Sequence, residues 1–208
     1  MVLKNLEHIM KSTLSLPEGF VKTDGINLES NKKQLLVVAI IQLVVIALTV
    51  AMGVLLSKSF PPMVQYDGES LLVGDLIAKI VVIILGSVAY VICHELIHGL
   101  FFKIFVPKCK LNFGISFKYA YCGSNAYYTK KTYVVIGLAP VVVFFVVFLL
   151  LNLLLLKDWF WPIYGLQIFN LAGASGDFFV TAKLLSDKRE FLLLDNGFSI
   201  AFFVKKER

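Results

Sequence analysis

Four stretches of this chain, residues 34–56, 76–105, 133–156 and 159–185, are each apolar over a length that can cross a lipid bilayer. A helix needs about 20 apolar residues for that crossing, and no other property of the sequence restricts the fold so strongly. The composition agrees. Of the 208 residues, 58% are hydrophobic and 16% charged, and mean hydropathy is +0.81, far from the balance of a soluble domain. The expected fold is an all-α membrane protein: a bundle of about four transmembrane helices with short cytoplasmic β-hairpin elements. The formal net charge is +6, but the basic residues cluster beside the hydrophobic stretches, where anionic lipid and topology account for them. The partner expected for that charge is the lipid bilayer, with no nucleic acid.

The charges also orient the spans. The connection 107–131 carries Lys108, Lys110, Lys118, Lys130 and Lys131 and no acidic residue, whereas 58–75 carries Asp67, Glu69 and Asp75 against Lys58. Basic connections stay cytoplasmic, so four crossings put both termini in the cytoplasm. Lys32 and Lys33 before the first span and the terminal KKER agree. The third and fourth spans meet at LLLKDWFWPIY, whose aromatic residues suit an interfacial turn, and a tight antiparallel hairpin is expected there. No early apolar core with a small-residue cleavage site opens the chain, so no removable signal peptide is expected. Cys93, Cys109 and Cys122 are odd in number and lack CxxC spacing, which reads as reduced thiols.

Three parts follow: an N-terminal cytoplasmic segment (1–33), a transmembrane domain (34–185) with a strand-containing connection (107–132), and a C-terminal hairpin and tail (186–208). In the connection, LNFGISFKYAY alternates strictly, with Leu111, Phe113, Ile115, Phe117, Tyr119 and Tyr121 on one face, the period of a strand. CGSN is the expected turn back toward AYYTKKTYV. FLLLDNGFSIAFFV places a turn signal, Asp195-Asn196-Gly197, between two apolar runs, a second hairpin.

The second span contains HELIH: His94, Glu95 and His98. On a helix the histidines fall one turn apart on one face, so both imidazoles reach one metal ion, and Glu95 lies about 100° round the helix, beside a metal-bound water. Zn2+ lowers the pKa of such a water toward about 7, and a carboxylate can then act as general base. Ionisable groups in hydrocarbon are costly without partners, so the motif points to metal-assisted hydrolysis rather than packing. A third ligand is needed. His94 lies 18 residues after Leu76 and Asp177 18 after Trp159, in two spans running the same way, so at about 1.5 Å per residue they share a depth. Asp177 is the third ligand this selects; the alternative is an interhelical hydrogen bond. Gly173, Ala174, Ser175 and Gly176 before it allow close helix approach and could loosen the helix. Asn170, two turns earlier on the same face, could bond a substrate carbonyl or oxyanion, or join helices. Pro140 is an expected kink, Lys79 a snorkelling partner of Asp75, and Ser87 and Tyr90 polar groups satisfied between helices.

These residues resemble a family of bacterial zincin peptidases, small integral-membrane HExxH proteins. The resemblance rests on HELIHGLFFKIF, YAYC in the basic connection, LAP in the third span and the segment from Asn170 to Asp177. The arrangement is similar to site-2-type intramembrane metalloproteases. It implies Zn2+ bound by His94, His98 and Asp177, Glu95 as base, Asn170 assisting, a bacterial multi-pass cell-membrane location, and membrane-embedded or membrane-associated peptide substrates cut near the cytoplasmic face. Those proteases usually carry a proline between the asparagine and the aspartate and a glycine after the aspartate; Gly173 and Phe178 stand there in this chain. A non-catalytic zinc-binding scaffold or regulator is the alternative, and Glu95 discriminates the two.

Overall fold

A computed structural model of the chain describes residues 11–28, 30–68, 70–116, 119–155 and 157–206. In chain order its elements are strand β1 (Phe20–Ile26), helix α1 (Lys32–Leu56), short strands β2 (Tyr66–Asp67) and β3 (Ser70–Leu71), helix α2 (Val73–Phe105), strands β4 (Leu111–Ile115), β5 (Ala120–Ser124) and β6 (Tyr127–Thr129) and helix α3 (Lys130–Leu154). A 3-10 turn (Lys157–Trp159), helices α4 (Phe160–Gly173) and α5 (Ser175–Ser186), and strands β7 (Leu192–Asp195) and β8 (Ile200–Lys205) complete it.

Among the described residues, α1, α2 and α3 are long and apolar enough to cross a membrane. On α1, Leu43, Leu48 and Leu55 are 66, 66 and 73% exposed. A helix with large apolar side chains this exposed along its length calls for hydrocarbon around them. The stretch 159–185, expected as one helix, is instead two. Ala174 leaves helical geometry with ψ 14°, beside Gly173, Ser175 and Gly176, all weak helix formers. Ser175 Oγ bonds back to the Ala172 carbonyl at 2.7 Å, a local bond that bends a helix. At 14 and 12 residues, α4 and α5 are each shorter than the roughly 20 a straight crossing needs.

The chain divides into two compact units, and the divisions fall inside helices. One holds Leu36–His94 and Pro140–Phe179. Its core is Tyr90, Phe148, Ile163 and Leu166, with Phe144 and Leu151 packed against them. Trp161 Nε1 donates to the Pro61 carbonyl at 2.7 Å and Tyr164 to that of Thr49 at 2.6 Å. Lys79, expected to snorkel, is fully buried; it pairs with Asp75 at 2.7 Å and donates to the Met63 carbonyl.

The other unit holds Met1–Leu35, Glu95–Ala139 and Val180–Arg208. Its centre is an antiparallel sheet of order β1-β8-β7-β6, whose buried side chains include Leu192, Leu193 and Phe202, with Phe191 buried just before β7. The β7–β8 hairpin forms at the expected turn, where Gly197 takes φ +91° and Asn196 Oδ1 accepts from the amides of Phe198 and Ser199. A side chain at 197 would also meet the Tyr121 ring at 2.2 Å. In the basic connection the single strand expected over 111–121 is a hairpin, β4 against β5. The chain reverses within 116–119, held by Ser116 N donating to the Tyr119 carbonyl at 2.8 Å and Tyr119 N to Ser116 Oγ, not at CGSN, whose first three residues belong to β5. Phe117 of the expected face lies outside the described residues, as does His8.

Candidate metal centre

Helix α2 runs unbroken through HELIH, so His94 and His98 take the one-turn spacing expected of them. Both are buried. His94 Nε2 lies 3.3 Å from Asp177 Oδ2, and the Asp177 side chain is a quarter exposed. The ligand atoms of His94, His98 and Asp177 all fall within 4.8 Å of one another. The break at Ala174 puts Asp177 in the first turn of α5. The three residues expected as ligands, from two distant segments, thus lie together, with Asp177 placed by α5 rather than by one continuous fourth helix.

The other ring nitrogens are held from behind. His94 Nδ1 is 2.8 Å from the Tyr90 hydroxyl, which sits one turn earlier on α2 and donates to the Asn170 carbonyl at 3.3 Å. His98 Nδ1 donates to the Ile136 carbonyl at 3.0 Å. Metal-binding histidines characteristically donate their second nitrogen to such partners. Asn170 is fully buried, and its side-chain Nδ2 donates to the Val141 carbonyl at 3.2 Å. Of its two sequence readings, the helix-joining one matches this bond.

Glu95 is half-buried, and its charge reaches the Cys122 thiol on β5. Burial first, then the charges of Glu95 and Asp195 and the neighbouring Cys109, push that thiol up to about 12. Asp195 is buried; it accepts a short hydrogen bond from Tyr133 and, at 2.8 Å, one from the Gly197 amide. One residue beyond His98, Gly99 lets β4 cross α2 closely: a Cβ there would sit 2.8 Å from the Phe113 ring and 3.0 Å from Leu111 Cδ1. Tyr90, expected only as a polar group satisfied between helices, stands behind His94, and the Ile136 carbonyl behind His98 carries no signal in the sequence. Tyr90 had a usable signal, since it precedes His94 by one turn on the same face.

The described residues thus combine three apolar helices of membrane-spanning length with a His-x3-His pair and an aspartate whose ligand atoms lie close enough to hold one metal ion. The chain belongs to the family described as "Putative zincin peptidase", which matches residues 87–192, just over half of its length. Neither a curated protein nor a solved structure matches it. The family is one of metallopeptidases and implies zinc. The side chains fit that ion: two imidazoles and a carboxylate are a zinc donor set, and the second nitrogen of each ring is already engaged.

Proposed function

We propose that this chain is a zinc-dependent intramembrane peptidase of the site-2 type, cutting membrane-associated peptides near the cytoplasmic face. The approach of His94 Nε2 to Asp177 Oδ2, 3.3 Å, one turn from His98 carries this reading. His94, His98 and Asp177 are assigned as the ligands. Zinc held there would supply a water of lowered pKa and polarise a peptide carbonyl. The Glu95 carboxylate takes the proton of the attacking water and returns it to the leaving amine. Asn170 is assigned the holding of Val141 and Tyr90 rather than contact with substrate.

Among the described strands β4 pairs only with β5, and it lies over Gly99, beside the motif. An extended substrate adding to that edge would present its backbone next to HELIH. The crossings are α1, α2, α3 and the segment α4–α5, with both termini in the cytoplasm of a bacterial cell. The single sheet joining β1, β6, β7 and β8 supports an even number of crossings between its strands.

Glu95→Gln tests the reading. It is expected to retain zinc and to lose peptide hydrolysis by roughly 10²- to 10⁴-fold, the usual contribution of a general base. Unchanged hydrolysis would leave the metal a structural role. Zinc analysis of His94→Ala, His98→Ala and Asp177→Ala beside wild type tests the ligands. Full zinc in the Asp177 variant removes that residue from the set.

A further inference from the structure

We propose that Tyr90 and Pro140 are positioning residues that hold the two HELIH histidines in the tautomer presenting Nε2 to the metal; this rests on the zinc reading above. Pro140 lies inside α3 and has no N–H, so the carbonyl four residues before it, that of Ile136, loses its helical donor. His98 Nδ1 stands 3.0 Å from that carbonyl. A carbonyl only accepts, so Nδ1 carries the hydrogen and, in the neutral ring a metal needs, Nε2 keeps its lone pair. The proline thus creates the acceptor that orients His98.

Tyr90 does the same for His94 by a relay. Its hydroxyl hydrogen goes to the Asn170 carbonyl at 3.3 Å. The phenol oxygen then accepts from His94 Nδ1 at 2.8 Å, and the lone pair on His94 Nε2 faces Asp177 Oδ2 at 3.3 Å. Asn170 is itself fixed by donating to Val141, the residue after Pro140, at 3.2 Å. His98 is therefore oriented directly by the carbonyl that Pro140 frees, and His94 through Tyr90 and the Asn170 carbonyl, on a residue whose side chain is anchored next to Pro140.

The test uses the full chain in detergent micelles with cobalt(II) as probe. Tyr90→Phe and Pro140→Ala are each expected to weaken cobalt binding roughly 10- to 100-fold in chelator competition and to alter the cobalt absorption spectrum. Pro140→Ala restores an N–H to compete for the Ile136 carbonyl and favours the helix. Its metal-free unfolding temperature should hold or rise while affinity falls, a split that a merely structural proline would not give. Nitrogen-15 spectra of the metal-free protein should show the Nδ1–H form of His98 lost in Pro140→Ala and that of His94 lost in Tyr90→Phe. Wild-type affinity, absorption and tautomers in both variants, with cobalt binding abolished in His94→Ala, would overturn this proposal and leave the zinc reading standing. Wild-type protein that binds no cobalt, or His94→Ala that binds as wild type, would overturn both.

Discussion

His94 Nε2 and Asp177 Oδ2 face each other across 3.3 Å, a separation that fits both a weak ring-to-carboxylate hydrogen bond and two ligands sharing one tetrahedral zinc ion. The spacing of His94, Glu95 and His98 was legible because it is local: one helical turn decides it. Asp177 was reached by counting depth along a continuous fourth helix; it does lie beside His94, although that helix breaks at Ala174, three residues before it. Tyr90 was not legible, because its second partner, Asn170, is 80 residues away. Across the motif on β5, Cys122 offers a test of the burial around Glu95. Its thiol, ordinarily near 9.0, is pushed up to about 12 by burial and by nearby negative charge. Between those values the unfolded chain carries a thiolate where the folded chain keeps a thiol, so unfolding releases a proton and stability falls as pH rises; below about 9 the group contributes no slope. Urea unfolding midpoints measured from pH 8 to 11 should therefore drop more steeply for wild type than for Cys122→Ala. Parallel slopes would show that the thiol is not buried beside those carboxylates.

The long helices were readable as elements from apolar length alone, and their ends moved by only a few residues: α2 begins at Val73 where the apolar run suggested 76. The division of 159–185 was foreshadowed by Gly173, Ser175 and Gly176, but length outweighed them in the reading. Strands fared unevenly for a physical reason. The β7–β8 hairpin carries its own turn chemistry in Asp195-Asn196-Gly197, whereas β1 and β6 have no such turn joining them to their partners and pair with strands distant in sequence. The alternation over 111–121 gave the period correctly and hid the reversal, because Ser116 and Tyr119 close the turn without glycine or proline. The hairpin tip is testable. At Gly197 the backbone has φ +91° and the Tyr121 ring would lie 2.2 Å from any Cβ. Gly197→Ala should cost about 1–3 kcal/mol through backbone strain, with further loss from displacing that ring. A urea midpoint equal to wild type would mean that the tip is not held in this conformation.

The sheet of order β1-β8-β7-β6 fixes more of the membrane topology than any single helix does. Strand β1 precedes α1, β6 follows α2, and β7 follows α5. Strands that share backbone hydrogen bonds must lie on one side of the bilayer, so each intervening path, α1 with α2 and α3 with α4–α5, has to return to the side it left. The four crossings proposed above satisfy this, and three would not. The sheet cannot say which side it occupies; charge decides that. Five lysines and no acid in 107–131, against Lys58, Asp67 and Glu69 before α2 and Asp75 in its first turn, are the basis for proposing a cytoplasmic sheet. With Cys93, Cys109 and Cys122 replaced by alanine, single cysteines at the exposed positions Lys22, Lys58 and Lys188 separate the two inferences. A membrane-impermeant maleimide on intact cells should label Lys58→Cys, and should reach Lys22→Cys and Lys188→Cys only after permeabilisation. The reverse pattern would invert the orientation while keeping four crossings. Labelling of Lys22→Cys and Lys188→Cys from opposite sides would break the sheet and the four-crossing topology together.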